Sequence, residues 1–274
     1  MKIALINNKG GTGKTTTCVN VGACLGAVGS RVLIVDLDAQ ASASLSLGVS
    51  FQELSPSVSD VLFNGLPAAA ALRPTTAKGV EVLTGGMALA SADLVLADLP
   101  GRENKLSRAL AGIAQGYDYI FFDCPPSLSM LSINALVAAD ACLIPVTAEY
   151  LALEGLIGML RAVDEAKKGL GINPLLLGIA FTMVIRGLNS AREIIRLVRE
   201  QYGGLVFNTE IPRSVKLSEA PSFGSTILQH APRSTGAESY QRLTDEVRQR
   251  CSVSEPKAAL PATNDTAAAG NTAA

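Results

Sequence analysis

A short apolar run, Ile3-Ala4-Leu5-Ile6, stops at two asparagines and leads into Lys9-Gly10-Gly11-Thr12-Gly13-Lys14-Thr15-Thr16, after which a helical pattern begins at once. Few segments restrict a chain as much as this strand, glycine loop and helix in series. The glycines let successive backbone N–H groups turn toward one point without Cβ clashes, and the helix N-terminus adds partial positive charge at the same point. Such a concavity holds an anion, and phosphate fits it best. Lys14 then neutralises the β- and γ-phosphates of a nucleotide, and the Thr15 hydroxyl can ligate magnesium. A plain glycine-rich turn with two solvated lysines is the simpler alternative. A dinucleotide fingerprint would need a further glycine at Thr16, and fails there.

The rest of the chain agrees with that start. Apolar runs rich in Val, Ile and Leu alternate with longer helical patterns, the sign of β-α-β units and a mostly parallel, buried sheet. Strands are expected at residues 3–7, 31–36, 80–84, 119–123, 141–146 and 175–183. Helices are expected at 14–28, 104–114, 132–138, 153–168, 191–201 and 236–250. With 274 residues, 48% of them hydrophobic and 17% charged, the chain can bury one large core. The expected architecture is a single α/β domain, a mostly parallel twisted sheet flanked by helices, over residues 1–253. From 254 to 274 the chain turns to Ala, Thr, Pro and Asn, too poor in bulky apolar groups to offset its ordering entropy. That segment reads as a disordered tail.

Charge and cysteine usage exclude other classes. A formal net charge of −1 is not that of a globally basic nucleic-acid binder, so any DNA contact must be regional. The five cysteines match neither paired zinc-ligand spacing nor an even disulfide framework, and are best explained as reduced thiols in a cytoplasm. The N-terminus runs directly into a strand without a charged leader, and no apolar run is long enough to cross a bilayer. A cytoplasmic chain with no membrane span is expected.

The loop departs from the usual phosphate-binding pattern: Asn8 stands at its first glycine, and a second lysine, Lys9, follows. Here the chain resembles the deviant Walker A family of partition, cell-division-positioning and nitrogenase-reductase-like ATPases, most closely the ParA/Soj branch, over residues 2–247. Val35-Asp36-Leu37-Asp38-Ala39-Gln40 resembles the family's first switch, with Ala39 where proline is usual. Phe122-Asp123-Cys124-Pro125-Pro126-Ser127 is similar to its Walker B and second switch. Glu149-Tyr150-Leu151-Ala152-Leu153-Glu154-Gly155, Ile211-Pro212-Arg213 and Ser218-Glu219-Ala220-Pro221-Ser222-Phe223-Gly224 are close to motifs of partition ATPases in particular.

Asp123, ending an apolar strand, places a carboxylate where it can hold magnesium opposite Thr15, with Asp36 serving the same shell. The resemblance implies that Asp38 positions the attacking water, and that Lys9 reaches across an ATP-sandwich homodimer to the partner's nucleotide. An extra cation at the γ-phosphate is sensible chemistry, because negative charge spreads over the phosphoryl oxygens during transfer. Lys9 as a solvated lysine and Asp38 as a turn aspartate remain alternatives. For adenine the resemblance points to Met183 and Pro212, either of which could equally be an ordinary core or turn residue.

The resemblance implies a switch: ATP favours a dimer that coats the nucleoid through non-specific double-stranded DNA contacts, and a ParB-like adaptor triggers hydrolysis and release. The cargo could be a chromosome, a plasmid or a large protein assembly. Arg186, Arg192, Arg196, Arg199, Arg213 and Lys216 are candidates for phosphate contact. Glu193, Glu200, Glu210 and Glu219 interleave with them, so a salt-bridged helix face is the competing explanation. After Met183 the chain reads Val184-Ile185-Arg186-Gly187, where relatives carry an acidic-basic pattern. Starting at the first strand, it is expected to be without the helix-turn-helix extension of some plasmid relatives, so sequence-specific operator binding is not expected. A MinD-like membrane ATPase would need a basic, bulky amphipathic C-terminal helix, and a redox ATPase paired cysteines near the switches, where Cys124 alone stands.

Overall fold

The computed structural model describes residues 1–185 and 187–252. The expected tail at 254–274 and Arg186 lie outside the described residues. Seven strands form one sheet, β1 (Lys2–Leu5), β2 (Val32–Asp36), β3 (Leu72–Pro74), β4 (Val80–Leu83), β5 (Tyr119–Asp123), β6 (Ala141–Thr147) and β7 (Leu175–Thr182), in the order β3-β4-β2-β5-β1-β6-β7. Every neighbouring pair is parallel except β3 with β4. The antiparallel β3 and a set of short helices are absent from the sequence expectation. A three-residue strand ending in Pro74 shows no period to detect, and proline is tolerated there because β3 is an edge.

The connecting helices are α1 (Lys14–Ala27), α2 (Ser42–Ser46), α3 (Val58–Phe63), α4 (Ala92–Leu96), α5 (Lys105–Leu110), α6 (Met130–Ala138), α7 (Tyr150–Leu170), α8 (Asn189–Tyr202), α9 (Val215–Glu219), α10 (Ile227–His230) and α11 (Thr235–Ser252). Alternation along the strands sends side chains to two separate cores. Ile3, Leu5, Val32, Ile34 and Phe121 pack with Val21 and Leu25 of α1 and Tyr240, Leu243 and Val247 of α11. Ala4, Ile6, Leu33, Val35 and Phe122 pack with Leu106 of α5, Leu136 of α6, Leu160 of α7 and Ile195 of α8. Both faces being covered is why the strands are apolar throughout rather than alternating. Each fully buried Val, Leu, Ile or Phe among them is worth about 1.5–3 kcal/mol.

Arg250 ties the last helix to the β7 edge. Its Nη1 donates to the carbonyls of Leu177 (2.8 Å) and Leu205 (3.0 Å), and its Nη2 to that of Val206 (2.9 Å). The guanidinium also lies 3.8 Å from the centre of the Phe207 ring.

Candidate nucleotide site

The sheet brings the carboxyl ends of β1, β2, β5, β6 and β7 to one edge, which is where open parallel sheets carry their ligands. The glycine loop leaves β1 and becomes α1 there. Gly13 sits immediately before the helix at φ 78°, a left-handed conformation that needs glycine. Lys14, Thr15 and Thr16 form the first turn of α1 behind it. Loop and sheet are bound at two points. The Asn7 side chain donates to the Pro145 carbonyl (2.7 Å) and accepts from Lys9 N–H (3.0 Å). The buried Thr182 hydroxyl, at the end of β7, bridges the carbonyls of Thr12 (2.9 Å) and Val146 (3.1 Å).

Lys14 is buried, and its ammonium donates to the Lys9 carbonyl (2.9 Å). Burial lowers its pKa, opposed by the nearby charge of Asp123 first. Lys9, by contrast, lies along α7: a methyl group built at Gly155 would come within 2.8 Å of its Cε. On the other side of the loop, Gly10 faces Pro126 of the segment that follows β5.

Asp36 and Asp123 are register partners at the ends of the adjacent strands β2 and β5, and both are fully buried. Burial pushes the Asp36 carboxyl up to about 6, against the hydrogen bonds it accepts from Ser44 and Asp38. Asp123 is pushed well above the carboxylate range by burial first and then by the charge of Asp36, with the neighbouring Thr15 hydroxyl and Lys14 ammonium only partly opposing. Among the described residues neither Asp123 oxygen has a partner at full hydrogen-bonding geometry, the Thr15 hydroxyl being the nearest group that acts on it. Two buried carboxylates side by side, one of them orphaned, call for a cation. One carboxylate and one hydroxyl beside a phosphate loop suit magnesium, which keeps few protein ligands and shares phosphate oxygens. Among the described residues no group of three or more His, Cys, Asp or Glu side chains could hold a metal without such help.

Asp38 is half-buried, and its Oδ1 accepts from Gln40 N–H (3.0 Å). The turn geometry weighed as an alternative for Asp38 is therefore present, on the loop that borders the two carboxylates. Met183 and Pro212 are brought together: Val184 and Pro212 form a parallel bridge, with Val184 N–H on the Ile211 carbonyl (2.9 Å) and Arg213 N–H on that of Val184 (3.0 Å). Met183 adopts φ 53°, which ends β7 one residue earlier than expected and costs a non-glycine residue strain.

The basic segment divides. Arg196 pairs with Glu193 and Glu200 (both 2.6 Å), Arg199 with Glu210 (3.1 Å) and Lys216 with Glu219 (2.8 Å). The side chains of Arg192 and Arg213 are exposed and make no ion pair among the described residues. Arg192, Arg196 and Arg199 rim a cavity of about 640 Å³ floored by Val184, Ala191 and Ile195. Arg186 lies outside the described residues. Cys124 is buried, its thiol against the Phe122 carbonyl (3.8 Å) and raised in pKa by burial, which is the setting of an inert thiol.

Sequence reasoning missed Asn7, Ser44, Gly85 and Thr182. Thr182 adjoins Met183, which the resemblance singled out; the other three carry no periodic or motif signal.

A family model described as an AAA domain matches residues 1–176. The sporulation initiation inhibitor protein Soj of Bacillus subtilis is 43% identical over 245 residues, 89% of this chain and 97% of that protein. The chromosome-partitioning ATPase Soj of Thermus thermophilus is 44% identical over 249 residues, 91% and 96% of the two chains. The chain belongs to the ParA/Soj family of P-loop ATPases. Among solved structures, a Mycobacterium smegmatis protein described as cobyrinic acid a,c-diamide synthase, with bound ADP and magnesium, superposes with TM-score 0.81 at 32% identity, covering 93% of this chain and 96% of that one. The expected α/β architecture and family are thus both borne out. Among the described residues no helix is long and apolar enough to cross a membrane.

Proposed function

We propose that this ParA/Soj-family chain is a magnesium- and ATP-dependent switch that dimerises on ATP, binds double-stranded DNA non-specifically in that state, and segregates or positions a cargo until an adaptor stimulates hydrolysis. The buried Asp123 carboxylate, without a partner at full hydrogen-bonding geometry among the described residues and beside buried Asp36 and Lys14, supports the metal and nucleotide part of the reading, because a cation and a phosphate chain would satisfy all three; the dimer, DNA and adaptor steps rest on the family. Gly10, Gly11, Thr12 and Gly13 turn their N–H groups to the phosphates, Lys14 neutralises the β- and γ-oxygens, and Thr15 with Asp123 holds the metal. Thr16 lies in the same helix turn. The metal supplies charge neutralisation at the phosphoryl oxygens. Met183 and Pro212 flank the base, Asp38 orients the attacking water, and Lys9 swings off α7 to reach the partner's phosphates. Arg192 and Arg213, without ion pairs among the described residues, are better candidates for DNA phosphates than Arg196, Arg199 or Lys216.

Duplex DNA binding measured with ATP, with ADP and without nucleotide, over a range of salt, tests the switch. Binding is expected with ATP alone and to weaken steeply as salt rises. No binding at low salt with ATP refutes the DNA step. Asp38→Ala is expected to retain nucleotide and DNA binding while losing turnover; normal hydrolysis by that variant removes Asp38 from the mechanism.

A further inference from the structure

The two buried carboxylates differ in one respect. Among the described residues Asp123 has no partner at full hydrogen-bonding geometry, whereas Asp36 accepts three bonds: Asp38 N–H on Oδ1 (3.1 Å), and both Ser44 N–H (2.9 Å) and the Ser44 hydroxyl (2.7 Å) on Oδ2. Ser44 is fully buried, and its hydroxyl oxygen also accepts from Gly85 N–H (3.1 Å) just beyond β4. Gly85 closes the group from behind. A Cβ there would lie 2.5 Å from the Asp38 carbonyl oxygen and 2.8 Å from the Asp36 carboxylate. The first of these is a backbone atom that no rotamer change can move aside. Ala41, at φ 53° just before α2, turns the chain so that Ser44 points back to the strand it has left. Three stretches of chain, at the ends of β2 and β4 and in α2, therefore meet on one hydroxyl.

We propose that Ser44 is a positioning residue for hydrolysis, holding Asp36 as the hub on which residues 37–44 fold and so setting the place of Asp38. The inference rests on the ATPase reading above and deepens it. Charge-assisted hydrogen bonds from O–H to carboxylate are short and about twice as strong as neutral ones. Removing the hydroxyl loses that bond and leaves Gly85 N–H buried without an acceptor. The Ser44 N–H and hydroxyl bond to Asp36 and Gly85 and, among the described residues, to nothing in the phosphate loop, so loss of the hydroxyl acts first on residues 37–44.

The test compares the full chain with Ser44→Ala, Ser44→Thr and Gly85→Ala. Turnover is measured together with the affinity for a fluorescent ADP analogue in magnesium and the melting temperature. Ser44→Ala is expected to lower kcat about ten- to a hundredfold, the loss of a hydrogen bond to a charged group. Its nucleotide affinity is expected to stay within about twofold of the parent, the pattern of an interaction that serves the chemical step. Ser44→Thr keeps the hydroxyl and restores most of the rate. Gly85→Ala, with the hydroxyl intact but the switch loop displaced, is expected to lose turnover like Ser44→Ala. Full turnover in Ser44→Ala, a parallel loss of turnover and nucleotide affinity, or no rescue by threonine overturns the proposal. Should Ser44→Ala not fold, the Gly85→Ala and Ser44→Thr pair decides it by the same split. A parent chain that binds ATP without hydrolysing it overturns the ATPase reading instead, and this role with it.

Discussion

Asp123→Asn removes a charge that is buried, has no partner at full hydrogen-bonding geometry among the described residues and sits opposite Asp36. Without nucleotide the substitution should stabilise the fold, because an unsatisfied buried polar group costs about 1–3 kcal/mol and a charged one more. Taking about 2 kcal/mol, the melting temperature in EDTA should rise by about 4–8 °C for a domain of this size. With saturating magnesium and ATP the order reverses. A ligand at about 100 times its dissociation constant contributes about 2.7 kcal/mol to the parent, and little of that to a variant that has lost its metal carboxylate. The sign with pH follows from the raised carboxyl of Asp123. A carboxyl whose folded pKa exceeds its unfolded value of about 3.9 binds its proton more tightly when folded, so the parent loses stability as pH rises from about 4 through the folded value. The advantage of the variant in EDTA should therefore be small near pH 4 and grow toward neutrality. Thermal melts of both proteins, in EDTA and in magnesium with ATP across that pH range, check it. A variant that melts lower than the parent in EDTA at neutral pH, or that gains equally from magnesium and ATP, refutes the reasoning that makes Asp123 the metal carboxylate.

Lys14→Ala should abolish nucleotide binding by equilibrium fluorescence while the fold persists, since it removes a buried cation held mainly by the loop. Thr182→Val removes the hydroxyl that ties Thr12 to the sheet, and should weaken nucleotide binding about three- to tenfold, the worth of one hydrogen bond of roughly 0.5–1.5 kcal/mol; Thr182→Ser should recover most of it. Arg250→Ala deletes three hydrogen bonds and a ring contact at the β7 edge. It should cost about 2–4 kcal/mol in urea unfolding, with nucleotide affinity unchanged in the folded protein.

Much of the architecture was legible in the chain because it depends on local rules. The strand, glycine loop and helix at residues 3–28 carry their own turn chemistry, and the apolar runs announce strands buried on both faces. Their ends were read to within a few residues; the final strand closes at Thr182 because Met183 enters a left-handed conformation that no propensity anticipates. β3 and the short helices α2, α3, α4, α9 and α10 escaped because segments of three to six residues hold too few side chains to display a period.

Motif residues taken singly were also sequence-determined: Lys14, Thr15, Asp36 and Asp123 were named from their places at the ends of apolar strands and the start of a helix. Their relation was not. That Asp36 and Asp123 face each other follows from β2 pairing with β5, strands more than eighty residues apart in the chain. That one carboxylate accepts three bonds from Ser44 and Asp38 follows from how α2 folds back over β2, while the other has none at full hydrogen-bonding geometry among the described residues. Likewise, the interleaved arginines and glutamates could not be sorted by spacing alone, and the helical geometry of α8 pairs Arg196 while leaving Arg192 exposed. Sequence by itself determined which groups a phosphate loop and its switches would carry, because those choices are made within a turn or two of backbone. Tertiary structure alone decided which of them share a buried volume, and burial is what turns two ordinary aspartates into a pair whose charge needs a partner.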